Sequence, residues 1–171
     1  MHDPGYDVRK ALFAQDQRFY DSIGAMTWAA NSAEPLPYSE MPRRLSADKN
    51  GDTVWVPNWA QSNLAEINIH TGKVIYHELP MKVHPYKTTV DKNHNVYTDI
   101  QAGDGVYKFT PATNQWTYYP LPTHGCSSRH MSFDDVRGEA WVPCDQADTV
   151  DRIQFRSTEQ IQRLKATAVK Q

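Results

Sequence analysis

Two stretches of this chain concentrate side chains able to do chemistry: THGCSSRH, which holds His124, Cys126, Arg129 and His130, and VPCD, which ends in Cys144 and Asp145. Thiol and imidazole groups together suggest a metal site. The spacing fits no established ligand pattern, so His124 and His130 are weak metal candidates and no residue is assigned as a ligand. The cysteines have a second use. If residues 128–133 and 139–144 form a hairpin around Asp135-Val136-Arg137, Cys126 and Cys144 sit across from each other at its open end. A cross-strand disulfide is feasible there in an oxidising compartment; the alternative is a pair of half-buried thiols. A third set recurs along the chain: Arg43, Tyr86 and Arg129, followed by Arg44, Lys87 and His130. Two guanidiniums beside an aromatic ring suit a carboxylate or phosphate group. The plainer alternative, which the residue types favour, is that these side chains bind water or acidic loops of adjacent blades.

The recurrence identifies the elements that position these groups. Three units begin PRRLSADKNGDTVWVP, PYKTTVDKNHNVYTD and SRHMSFDDVRGEAWVP. Each carries an Asp (Asp48, Asp91, Asp134), a polar turn, then an aromatic (Trp55, Tyr97, Trp141). LSAD and TVWVP flank a tight turn in which Asn50-Gly51 can take positive φ. The aromatic falls on the second strand, where a large ring packs between sheets. LAEINI reads as a third strand, HTGK as a turn, and VIYHELP as a fourth strand closed by proline. Four antiparallel strands in about 40–45 residues match one blade of a β-propeller. The expected fold is therefore all-β, with about three four-stranded blades at 41–83, 84–126 and 127–157. In a propeller the first strand of each blade lines the central channel, which would bring Arg43, Tyr86 and Arg129 to one mouth with His130 and Asp145 nearby.

The order of Asp, turn, V-W-V, I-x-x-x-T-G-K and closing L-P resembles the streptogramin lyase (virginiamycin B lyase) family, over Met41 to about Ser157. The resemblance implies a seven-bladed propeller that opens a cyclic depsipeptide by elimination, with a histidine base and Mg2+, in secreted or periplasmic proteins. The family's histidine falls at the head of a blade, where this chain has Arg43, Tyr86 and Arg129. Its Glu lies four residues beyond the strand aromatic, where this chain has Trp59 and Asp145. Arginine stays protonated and is no general base near neutral pH. The residues therefore favour a binding or scaffolding segment with no assigned catalytic residue. Mg2+ is implied only under the alternative, a lyase or lactonase whose catalytic residues lie largely elsewhere.

Composition narrows the partners. A formal charge of −2, from 18 basic and 20 acidic side chains, gives no footprint for nucleic acid. No apolar run is long enough to span a bilayer. MHDPGYDVRK lacks the apolar stretch of a signal peptide. Because three blades do not close a ring, the expected partners are missing blades of the same propeller or other protein chains, besides a small anionic ligand. Residues 1–40 read as a partly helical leader, from Val8, Leu12, Phe13 and Phe19, with a strand around Trp28 that could belong to a preceding blade. At the other end Ser157 and Gln160 form a capping box for a short helix through Ile161, Leu164 and Ala168. A frayed polar tail over 158–171 is the alternative.

Overall fold

A computed structural model describes residues 40–168. The expected leader helix and the strand around Trp28 lie outside the described residues. The first sheet is a meander of β1 (Ser46–Ala47), β2 (Thr53–Asn58), β3 (Asn63–Asn68) and β4 (Val74–Glu78). The second repeats it with β5 (Pro85–Val90), β6 (Val96–Ile100), β7 (Gly105–Thr110) and β8 (Gln115–Pro120). The third has three strands, β9 (Ser132–Asp134), β10 (Glu139–Cys144) and β11 (Thr149–Gln154). The third blade has three strands rather than four, and the short helix expected after Ser157 follows it as α1 (Thr158–Ala168). The reason for the helix is local: Ser157 N–H donates to Gln160 Oε1 at 2.8 Å and Gln160 N–H to Ser157 Oγ at 3.3 Å, closing the capping box. The helix also contains Leu, Gln, Lys and Ala, which favour helix over strand.

Each turn between the first two strands of a sheet is built by the repeated aspartate. Asp48 Oδ1 accepts from Asn50 N–H, Asp91 Oδ1 from Asn93 and Asn95 N–H, and Asp134 Oδ1 from Val136 and Arg137 N–H. These are side-chain mimics of a backbone turn. In the first turn Gly51 alone takes positive φ, +78°. Asn50 instead accepts from Asp52 and Thr53 N–H through its side chain. The third turn is one residue longer than expected, because Gly138 at φ +64° extends it and Asp134 pairs with Glu139.

Strand alternation gives every sheet two faces. Trp55 pairs with Glu66, Tyr97 with Lys108 and Trp141 with Arg152. Pro57 pairs with Leu64, Asp99 with Val106 and Pro143 with Val150. These equivalent sets define one forward face per sheet. The first forward face packs on the back of the second sheet, where Trp55, Leu64, Val96, Ile100, Tyr107 and Phe109 share a core. The second packs on the third sheet through Tyr97, Val106, Ala140 and Val142, with Phe133 stacked on the Tyr97 ring and Phe155 tilted against it. The forward face of the third sheet is open: Trp141 is 42% exposed, whereas Trp55 and Tyr97 are 1% and 2% exposed.

The sheets also meet along their inner strands. Arg44 bridges Lys87 in parallel, with Arg44 N–H donating to Tyr86 O and Thr88 N–H to Arg44 O, both at 3.0 Å. First strands running side by side in parallel, each starting its own antiparallel meander, are the arrangement of propeller blades about an axis.

Candidate functional site

The inner strands place three basic or imidazole side chains from three sheets at one end. Arg44 precedes β1, Lys87 lies in β5, and His130 precedes β9. The Arg44 guanidinium donates to His130 Nδ1 at 3.2 Å, across two repeats. Arginine has no acceptor, so Nδ1 accepts and His130 is the neutral tautomer with its proton on Nε2. Burial holds the His130 imidazole below its ordinary pKa, and the charges of Arg44 and Lys87 push in the same direction. Lys87 Nζ donates to Leu45 O at 3.1 Å. Its ammonium is also held below its usual pKa, first by burial, with Arg44 adding to this and Asp99 opposing it.

The Tyr86 ring forms a wall beside this group. Arg43 lies 5.3 Å and Arg44 5.7 Å from its centroid. Arg43 is also 5.5 Å from the Trp59 ring, and its Nε is buried with no hydrogen-bond partner. Trp59 stacks on His84 at 3.9 Å and donates from Nε1 to Gln101 Oε1 at 2.6 Å. Cation–π contacts of this kind hold guanidiniums in place without neutralising them.

Beneath the cluster lies Asp99, fully buried at 0% exposure. Its Oδ1 accepts from Lys87 N–H at 2.6 Å and its Oδ2 from the Ser128 hydroxyl at 2.6 Å. Burial pushes its carboxyl up to about 6, against the opposing effects of these two hydrogen bonds and of Arg44. Asp99 therefore ties the second blade to the head of the third. No motif flagged it in the sequence; the available signal was a lone acid in the apolar strand VYTDI.

The expected ring of Arg43, Tyr86 and Arg129 is only partly assembled. Arg43 and Tyr86 are together, but Arg129 Nε pairs with Asp145 Oδ2 at 3.4 Å on its own blade. Adjacent residues of an extended strand point opposite ways. The side chain that reaches the third blade is accordingly Arg44, not Arg43, and its counterpart there is His130, not Arg129. His124 and His130 are not brought together either. His124 sits in the loop before the third sheet, 3.8 Å from Asp104, while His130 meets Arg44.

Cys126 and Cys144 form a disulfide that links the segment leading into β9 with the end of β10. Their sulfurs lie with Asp151 in the one potential metal-ligating group among the described residues. Disulfide sulfurs are not thiolate ligands. Mg2+, a hard cation that takes oxygen ligands, finds no matching set among the described residues either. Asp145 is the sole carboxylate at the positions the resemblance points to, and it is held by Arg129.

No family model matches the sequence, and no curated protein sequence matches it significantly. Solved structures do. A streptogramin B lyase structure superposes with a TM-score of 0.60 at 13% identity, over 72% of this chain and 43% of its own. Virginiamycin B lyase from Staphylococcus aureus gives 0.56 at 15% identity, over 72% and 45%. The WD40 β-propeller domain of Doa1 gives 0.54 at 16% identity, over 70% and 38%. At these identities the likeness shows the fold: the sheets are β-propeller blades like those of the streptogramin lyases. The chain spans less than half the length of these three structures. No helix among the described residues is long and apolar enough to cross a membrane.

Proposed function

We propose that this chain is a non-catalytic binding or scaffolding segment of a β-propeller, completed by further blades from the same polypeptide or from an assembly of chains. The observation that carries this reading is the forward face of the third blade. Trp141, Pro143, Val150 and Arg152 occupy the positions that in both preceding blades are packed against the next sheet. Val150 is 62% exposed, whereas its equivalents Leu64 and Val106 are 0% exposed. An exposed tryptophan and valine on one sheet face suit a surface built for a partner. Arg152 lies 5.7 Å from the Trp141 ring, as Lys108 lies 6.0 Å from Tyr97, so the third face keeps the design of the covered second one.

The residues at the positions the lyase resemblance points to favour binding over elimination. Where the lyase resemblance places its histidine, this chain has arginine or tyrosine, and the arginine of the third blade is engaged with Asp145. Two experiments test the reading. Paired Trp141→Lys and Val150→Lys substitutions should reduce association, seen by light scattering, and leave the urea midpoint unchanged. Tyr97→Lys, at the covered equivalent, should unfold the protein. Equal effects at the two faces would contradict the assignment. Incubation with a streptogramin B depsipeptide and Mg2+ should leave the ring intact by mass spectrometry; a ring-opened product would overturn the non-catalytic role.

A further inference from the structure

The three inner strands end in two equivalent triplets with opposite electrostatic outcomes. At one end stand Lys49, Lys92 and Asp135. Asp135 pairs with the Lys49 ammonium and accepts from Lys92 N–H at 2.9 Å, so this end supplies its own anion. At the other end stand Arg44, Lys87 and His130, and no described carboxylate meets them from the surface. The acid beneath them, Asp99, has its two oxygens engaged by Lys87 N–H and the Ser128 hydroxyl.

We propose that the Arg44–Lys87–His130 end binds a small oxyanion, a carboxylate or phosphate group, in the place that Asp135 fills at the opposite end. The site goes beyond the scaffolding role and does not depend on how the propeller is completed. Its donors are in surplus. Arg44 gives one N–H to His130, and Lys87 gives one to Leu45 O, which leaves guanidinium and ammonium hydrogens for a ligand. Because His130 accepts at Nδ1, its Nε2–H is a donor. Three donors from three blades suit an anion with several acceptor oxygens, and the planar guanidinium suits a carboxylate or phosphate edge. Asp99 stabilises the Lys87 ammonium from below and offers the ligand no free oxygen. Tyr86, held against both arginines, closes one side.

Calorimetric titration of the full chain with sodium phosphate, and separately with sodium succinate, tests the site and distinguishes the two chemistries. Saturable binding of at least one is expected. Arg44→Gln should weaken it by at least about tenfold, as loss of a charge-assisted hydrogen bond would. Lys87→Gln should weaken it as well, and Arg152→Gln, on the forward face of the third blade, should not. The His130 ring resonances of the wild-type protein should shift with the bound anion, a readout independent of any variant's folding. No saturable binding of either anion up to about 20 mM, which corresponds to negligible affinity, would overturn the proposal. So would unchanged affinity in folded Arg44→Gln, or His130 resonances that do not move.

Discussion

The Tyr97 hydroxyl donates to Asp91 Oδ2 at 3.0 Å, joining the repeated aromatic of the second blade to its repeated aspartate. The first blade makes the same link, from Trp55 Nε1 to Asp48 Oδ2 at 3.4 Å. One carboxylate thus shapes the turn and fixes the ring that packs on the next sheet. Tyr97→Phe should cost about 1.5–3 kcal/mol, the value of a hydrogen bond to a charged group. Asp91→Ala should cost more, about 3–5 kcal/mol, because Asn93 and Asn95 N–H lose their acceptor as well. Urea unfolding of both variants would measure the order, and a smaller loss for Asp91→Ala would refute it.

Asp99 makes stability depend on pH. Its carboxyl lies at about 6 in the fold against an ordinary value of 3.8, so the folded state favours the protonated form. The stability this contributes is fully present below the ordinary value and is lost as pH rises through about 6. A shift of this size corresponds to about 3 kcal/mol. Asp99→Asn keeps an acceptor for Lys87 N–H and a donor for Ser128 without a charge. Relative to wild type, the variant should gain stability between pH 4 and pH 7.5 by about that amount. Urea midpoints across the range provide the comparison, and a constant difference between the two proteins would exclude the effect.

The disulfide closes a loop with a sequence separation of 18. Chain-entropy arguments give such a loop about 3 kcal/mol of stabilisation. Replacing both cysteines by serine should lower stability by about that amount. The loss should fall on the third blade, where both sulfurs are buried with Met131, Ala140 and Val142. Hydrogen exchange read strand by strand would locate it; uniform loss across all three sheets would contradict a local role.

The repeat was legible in the sequence because its parts are local. Asp48, Asp91 and Asp134 each cap a turn a few residues away, and the aromatic follows at a nearly fixed distance. The Cys126–Cys144 link was within reach from the hairpin between them, although Gly138 lengthens that turn. The site was less legible. Arg43 and Arg44 are adjacent, and only the direction of the strand decides which one reaches His130. Asp99 shows no local signal of burial, since its partners Lys87 and Ser128 come from two other strands or segments. The C-terminal helix was legible for the same reason as the turns, because the capping box of Ser157 and Gln160 is local.

The open face around Trp141 makes the most direct claim. Sedimentation equilibrium of the wild-type chain over a range of concentrations measures its state. The account predicts species heavier than the 19.6 kDa chain, formed in a concentration-dependent way and lost in Trp141→Lys. A folded monomer of 19.6 kDa at every concentration would contradict it.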